Sequence, residues 1–401
     1  MEAFAFSGDG RWLAFQHHAQ KKEEGEESGE IPDEEEEEKK KKETKLGTTL
    51  KLRDLTSGAE TVIEHVSEFA WAEEAPILAF AISAPEGEGN RAAVLSLGRG
   101  MGLELALNET KGGRYENLYW AREATHFAFT AAAVDDDGES GDAEVWVWLG
   151  QGEAQRMASR ADAPAGWTVP LTNELSWSDD GGRLFFGFKP IAEDATGGEE
   201  DREENDEASF NPYDSEALLE EREVDVWHWN DPRIIPNQKE RWAEQEKDRV
   251  YRAVVHMESG KVVALADLDM PEVLLSNNPT TAFGWSDVSY LKEITWDGRF
   301  SDLYVVDLES GERRRVARRL ASGRSRVASL SPDGRFVVIY DDGDWHLFDV
   351  EKEQLGNVTA NLGVPFADED HDYPRDPPGY GYSEWLADSS AVFVYDKYDI
   401  W

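Results

Sequence analysis

The chain has no cysteine among its 401 residues. This absence excludes disulfides, thiolate metal sites and a cysteine nucleophile. The sequence also lacks the run of about 18 apolar residues that a membrane-spanning helix needs, since its longest apolar run is Pro76–Ile82. Residues 1–6 have neither the basic nor the apolar region of a signal peptide. The sequence therefore predicts a cytoplasmic protein, or a periplasmic or secreted one whose true start is missing.

Basic residues are scarce: 41 lysines and arginines stand against 84 acidic residues, giving a net charge of −43. Such a charge repels phosphates, so we expect neither a nucleic-acid partner nor an anionic membrane. Two segments, 20–46 and 192–223, contribute −5 and −12, and we interpret both as solvated charged insertions. The remaining surface is still acidic and poor in lysine. It is typical either of a halophilic protein, whose self-repulsion salt screens, or of an ordinary acidic one.

The sequence also lacks the machinery of a serine hydrolase. Such an enzyme needs a nucleophile in a Gly-x-Ser-x-Gly turn, followed by Asp and His. The nearest segment, Gly138–Asp142, ends in Asp where the turn needs Gly. We therefore predict that this chain carries no catalytic residue and no cofactor site, and that it is inactive alone.

Few residues suggest a metal site. His17 and His18 are adjacent, so on a strand they would point to opposite faces, and a surface loop is the simpler interpretation. His228 and His346 lie beside tryptophans and are interpreted as packed strand residues. The segment Asp368–Asp372 has carboxylates at alternate positions that could bind calcium, but it lacks the sharp-turn glycine and the final bidentate glutamate. We interpret it as a polar loop and predict no metal site.

One phrase recurs along the chain: a small polar turn followed by a strand that ends in an aromatic residue. Its clearest copies are Ser7–Phe15, Ser178–Phe186 and Ser331–Tyr340. Asp-Gly supplies the positive φ of a tight turn, and the following β-branched and aromatic residues fill a half-buried strand. Weaker copies follow the same pattern at Glu73–Phe80, Glu123–Phe129 and Asp388–Tyr395.

A second phrase, strand–turn–strand, follows the first and is clearest at Asp302–Val316. Together the two phrases make four strands, which is one propeller blade. The spacing predicts an all-β fold: a single incomplete β-propeller over residues 1–401, with about seven blades and the last unfinished. One blade is hidden near Thr280–Ala317, and a short helix is inserted over residues 236–251, where helix formers follow a proline. An open array of β-sandwiches is the alternative.

Three stretches narrow the fold to a family. They are Asp225–Pro232 with the helix that follows, Trp296–Phe300 leading into Asp302–Val316, and Val364–Trp401. Together they resemble the propeller of large bacterial prolyl oligopeptidase-type serine peptidases, of the dipeptidyl aminopeptidase or acylaminoacyl-peptidase type. The resemblance covers nearly the whole chain. It implies an α/β-hydrolase domain after the propeller, which would carry the catalytic Ser, Asp and His.

Two functions follow from these observations. The resemblance implies a non-catalytic propeller that gates entry of short peptide substrates and docks on the α/β-hydrolase catalytic domain. The alternative is a stand-alone scaffold, like the Tol-system propeller, that binds a protein partner. The last segment, Asp399–Trp401, aligns with the start of a blade's second strand pair, so we expect the chain to be a fragment that ends inside a blade.

Overall fold

The structure, a computed structural model, describes residues 3–16, 46–98, 102–122, 125–134, 140–191, 231–233, 235–241, 246, 248–275, 278, 280–321 and 327–401. His17, His18 and His228 lie outside these residues, as do the insertion 192–223 and all of the insertion 20–46 except Leu46. The regular secondary structure of the described part is mostly antiparallel strand with little helix, so the all-β prediction is confirmed.

The first sheet has seven strands that pair in chain order. They are β1 (Ala3–Phe6), β2 (Trp12–Gln16), β3 (Thr48–Asp54), β4 (Glu60–Trp71), β5 (Ile77–Ile82), β6 (Arg91–Ser96) and β7 (Leu103–Glu109). β4 changes course at His65, where φ is 59° and its pairing register shifts. Its first half pairs with β3 and its second half with β5. The sheet is therefore two four-stranded units that share one long bent strand.

The remaining strands form four further sheets. The second sheet contains β8 (Arg114–Trp120), β9 (Phe127–Val134), β10 (Ser140–Trp148) and β11 (Gln155–Ala158). The third contains β12 (Trp167–Thr168), β13 (Ser176–Trp177), β14 (Arg183–Pro190), β15 (Tyr251–His256) and β16 (Val262–Ala264). The fourth contains β17 (Glu272–Leu274), β18 (Thr281–Ser286), β19 (Phe300–Asp307) and β20 (Arg313–Ala321). The fifth contains β21 (Ala328–Leu330), β22 (Phe336–Asp341), β23 (Asp344–Asp349) and β24 (Gln354–Asn357).

The recurring turn forms as the sequence predicts. In its first copy the Ser7 hydroxyl donates to Asp9 at 2.6 Å and accepts from the Trp12 backbone N–H at 2.9 Å. The bond from Ser7 lowers the pKa of the Asp9 carboxyl. Gly10 closes the turn at a φ of 67°, and Gly181 and Gly334 repeat it at 66° and 73°. The three turns are tight hairpins that join β1 to β2, β13 to β14 and β21 to β22.

Consecutive sheets pack face to face. Side chains alternate along a strand, so a central strand serves two neighbours. In β5, Leu78 and Phe80 pack against Leu50 of the first unit, whereas Ala79 and Ala81 pack toward the second sheet. Because both faces are buried, β5 reads as a continuous apolar run. The same arrangement joins each later sheet to the next.

The inner edge of the third sheet departs from the four-strand pattern. Both β12 and β13 pair with β14, so the inner strand is split in two. Between them the Asn173 side chain accepts from the Gly187 N–H at 2.7 Å and donates to the Gly187 carbonyl at 2.8 Å. An amide side chain thereby makes the two hydrogen bonds that a strand residue would make, and the ladder stays satisfied across the gap.

Within the part of the chain that the structure describes, four short helices interrupt the strands. The helix α1 (Ile235–Arg241) lies in the chain between β14 and β15 and begins one residue before the predicted helical stretch 236–251. The predicted helical stretch ended too late, because Tyr251 already pairs with Phe188 as the first residue of β15. The others are 3₁₀ helices at Pro85–Gly87, Arg160–Asp162 and Val288–Thr295, and the sequence predicted none of them.

The last residues pack on the fifth sheet. Phe366 and Val394 are buried against Val338, Tyr340 and Trp345. Single bridges join Tyr382 to Val394 and Tyr395 to Ile400, and Val394 and Trp401 exchange backbone hydrogen bonds at 3.0 and 2.9 Å. This segment therefore contains three short extended pieces, around Tyr382, Val394 and Ile400, that pair in an antiparallel direction. The number of seven blades stays a prediction.

Candidate functional site

A cleft of about 500 Å³ opens where the inner strands of three consecutive units end. We call it the tryptophan cleft. Its walls come from the end of β4, the end of β8 and the end of β13, together with the first residues of the turns that follow. The residues that line it are Ala70, Trp71, Glu73, Leu118, Tyr119, Trp120, Ala121, Arg122, Trp177, Ser178 and Asp179. The volume lies within the range of about 300–1,000 Å³ that is usual for ligand pockets.

The three tryptophans occupy the same position in their units. Each is the last residue of an inner strand: Trp71 pairs with Leu78, Trp120 with Phe127 and Trp177 with Leu184. The turn of each hairpin begins at the next residue. The cleft is therefore a repeated feature of the fold, built from three copies of one structural position.

Each indole N–H reaches across to the preceding unit. Trp71 donates to the Ala5 carbonyl at 3.2 Å, Trp120 to Ala70 at 3.0 Å and Trp177 to Tyr119 at 3.3 Å. In the preceding unit, Phe6, Trp71 and Trp120 occupy the position that matches the donor tryptophan. The acceptor carbonyl always belongs to the residue just before that position. These bonds fix the relative height of adjacent sheets and hold the rings at the rim of the cleft.

A fourth bond of this kind lies outside the cleft. Trp385 donates to the Ser329 carbonyl at 3.4 Å, one residue before Leu330. Leu330 pairs with Val337 in the register of the tryptophans but has no donor. The inter-sheet bond thus depends on which residue fills the position. The sequence signal is a tryptophan just before the hairpin turn in three copies of the repeat, at Trp71, Trp120 and Trp177, and a repeat that is defined from the turn serine onward leaves it out.

Replacing Trp120 with Phe should therefore loosen one sheet interface. The indole N–H bond to Ala70 is lost, which costs about 0.5–1.5 kcal/mol of unfolding free energy, and some ring packing against Phe127 is lost as well. Trp146→Phe is the matched control, because that indole donates only to Glu144 of its own strand. Urea denaturation should show the larger loss for Trp120→Phe; equal losses would contradict the role of the inter-sheet bond.

A half-buried carboxylate supports the floor beside the cleft. β8 bulges at Asn117, where φ is 57°, and this frees backbone donors. Glu68 of β4 accepts the Leu118 N–H at 2.9 Å, while the Asn117 side chain donates to the Leu171 carbonyl at 2.7 Å. Burial raises the pKa of the Glu68 carboxyl. Three units are therefore tied together directly behind Tyr119.

Glu68→Gln should change how stability depends on pH. The folded-state pKa of Glu68 is raised above its unfolded value of 4.5. Stability from the protonated form is thus fully present below pH 4.5 and is lost as pH rises through the folded pKa. Glutamine keeps an acceptor and does not ionise, so unfolding free energies should match at low pH and favour the variant near neutrality.

Urea midpoints at a series of pH values test this expectation. Glu60→Gln is the control, because Glu60 lies in the same strand but is exposed. A Glu68→Gln protein that is less stable than the parent at every pH would show that the ionised carboxylate is needed.

The other candidate residues lie away from this cleft. His346 is in β23 opposite Ile339. Asp368 to Asp372 form a loop in which the Glu369 backbone N–H donates to the Tyr380 hydroxyl at 2.9 Å, and Asp370 pairs with Lys397 at 2.9 Å. Among the described residues, no group of three or more His, Asp or Glu side chains is placed to hold a metal ion. Within that same part of the chain, no helix is long and apolar enough to cross a membrane.

Known proteins resemble this chain in fold. No family model matches it, and no curated protein matches its sequence. Among solved structures it is similar to TolB from Acinetobacter baumannii, at 13% identity and a TM-score of 0.29 over 77% of this chain and 59% of that one. It is also similar to a prolyl endopeptidase, at 11% identity and a TM-score of 0.36 over 89% of this chain and 42% of that one.

A third similar structure is the β-propeller domain of the Trilobed protease from Pyrococcus furiosus, at 11% identity and a TM-score of 0.34. The match covers 89% of this chain and 84% of that domain. The chain thus spans less than two thirds of the TolB and prolyl endopeptidase chains but most of this propeller domain. The face-to-face packing of successive four-stranded antiparallel sheets is the architecture of a β-propeller.

Proposed function

We propose that this chain is the substrate-gating and docking propeller of a prolyl oligopeptidase-type serine peptidase. The observation that carries the proposal is the tryptophan cleft, which puts three indole rings and charged side chains at one end of the inner strands. Aromatic rings joined to a few polar groups are the usual lining of sites that bind small ligands. The sequence stretches Asp225–Pro232, Trp296–Phe300 and Val364–Trp401 add support, through their resemblance to that family.

In this proposal the propeller binds the substrate, and a second domain carries out the reaction. The propeller would admit short, unfolded peptides and hold them. An α/β-hydrolase domain would supply the nucleophile, the base and the oxyanion site. The cleft accommodates a peptide segment but not a folded protein, so selection by size would be its contribution to the reaction.

The gene and the full-length protein test this proposal together. Reading the gene beyond the codon for Trp401 should reveal alternating strands and helices with a Gly-x-Ser-x-Gly turn. The full-length protein should then cleave short prolyl peptides and lose that activity to a serine-directed inhibitor, whereas the 401-residue chain should be inactive. A stop codon directly after Trp401 would overturn the proposal and favour the alternative, a stand-alone scaffold that binds a protein partner.

A further inference from the structure

The charged residues of the tryptophan cleft share one structural position. Glu73, Arg122 and Asp179 each lie two residues after a cleft tryptophan, at the start of a hairpin turn. Three adjacent units thus present negative, positive and negative charge in order around the rim. The two carboxylates flank the guanidinium, and the cleft as a whole carries an excess negative charge.

These carboxylates are open to a ligand. Glu73 and Arg122 form an ion pair at 3.5 Å in which the side chains are 62% and 74% exposed. An exposed pair of this kind contributes only about 0–1 kcal/mol, so an incoming cation can compete for Glu73. Among the described residues, no side chain forms an ion pair or hydrogen bond with the Asp179 carboxylate. Asp179 is therefore the stronger point of attraction.

The indoles add a second attraction for the same kind of ligand. A cation held over an aromatic ring gains energy from the ring quadrupole, and tryptophan is the strongest of the three aromatic partners. The net charge of −43 extends the preference over a longer range, because it raises the local concentration of cations. The carboxylates and the indole rings thus both favour a positively charged ligand.

We propose that the tryptophan cleft binds the lysine or arginine side chain of a peptide, with Asp179 and Glu73 as its counter-ions. This inference rests on the proposed function, from which it takes the peptide as ligand. The cleft of about 500 Å³ has room for residues on either side of the basic one. Arg122, once released from Glu73, can donate to a peptide carbonyl, which would hold the backbone while the basic side chain lies between the carboxylates.

Calorimetric titration of the 401-residue chain with blocked pentapeptides tests the proposal. The probe is acetyl-Ala-Ala-Lys-Ala-Ala-amide, and the matched ligands carry norleucine or glutamate in place of lysine. We expect the lysine peptide to bind at least about ten-fold more tightly than the norleucine peptide, a factor equivalent to about 1.4 kcal/mol. The preference should weaken as salt rises. Equal affinity for the lysine and norleucine peptides would overturn the proposal.

Variants locate the site. Asp179→Asn should weaken binding of the lysine peptide about ten-fold, and Glu73→Gln should weaken it less, because Arg122 already shares that carboxylate. Glu88→Gln is the control, since Glu88 is also exposed and pairs with Lys111 at 3.9 Å outside the cleft. Unchanged affinity in Asp179→Asn, with the lysine preference intact, would place the site elsewhere and overturn the assignment.

Two further results separate the possibilities. An unblocked alanine pentapeptide that binds as tightly as the lysine peptide would show that the cleft takes an amino terminus, against the side-chain assignment. The gene test bears only on the peptidase, so a stop codon after Trp401 would leave a measured lysine preference standing. Conversely, a full-length peptidase with no such preference would refute this inference and leave the proposed function intact.

Discussion

Replacing Phe186 with Ala should destabilise the protein by about 3–5 kcal/mol, because the change opens a cavity between two sheets. Phe186 is 1% exposed and lies in β14, where it packs with the second sheet, including Val145 and Val147. Its ring also meets the edge of Phe188 with centroids 5.0 Å apart. The neighbouring Phe185 faces the fourth sheet instead, so β14 cannot rotate to fill one cavity without disturbing the other interface.

Urea and thermal denaturation, followed by the circular dichroism of the strands, measure this effect. Phe186→Leu should lose much less stability, since it keeps most of the buried volume. Phe4→Ala is the exposed control: Phe4 is 67% exposed, and its loss should change the unfolding free energy by less than about 0.5 kcal/mol. Equal effects of Phe186→Ala and Phe4→Ala would contradict the assignment of this interface to the core.

The hairpins of the fold could be predicted from the sequence because their interactions are local. The Ser7, Asp9 and Gly10 turn satisfies its own hydrogen bonds within six residues, so composition and order suffice to identify it. Gly181 and Gly334 repeat it for the same reason. The four-stranded units could be predicted as well, since each strand is joined to the next by a short turn in an antiparallel ladder.

The cleft could not be predicted, because it depends on contacts between units. Trp120 and its acceptor Ala70 are 50 residues apart, and no local pattern states which carbonyl the indole will reach. The split inner strand of the third sheet has a similar cause, since Asn173 replaces a strand residue only when Gly187 is opposite it. The 3₁₀ helix Val288–Thr295 could not be predicted for a third reason. There the sequence, rich in Val, Tyr, Leu and Ile, favours a strand, and the tertiary context overrides that preference.

The second large effect concerns Gly8, where the backbones of the first two units lie in close contact. A Cβ atom on Gly8 would lie 1.7 Å from the Glu73 carbonyl oxygen and 2.7 Å from its carbon. Both are backbone atoms, so no side-chain rotation can relieve the contact. Gly8→Ala should therefore push the first two units apart and lower the unfolding free energy by about 1–3 kcal/mol or more, the usual cost of overpacking.

The same substitution should reach the cleft, because Glu73 is part of its rim. Displacing the Glu73 backbone would strain the Trp71 bond to Ala5 and move the carboxylate away from Arg122. We expect Gly8→Ala to weaken binding of the lysine pentapeptide as well as stability. Gly356→Ala is the matched control: Gly356 has no heavy atom within 4 Å of the new Cβ, so the variant should keep both properties. If Gly8→Ala unfolds at the parent's urea midpoint, the turn of the first unit does not press on the second, and the packing that builds the cleft is not the packing described.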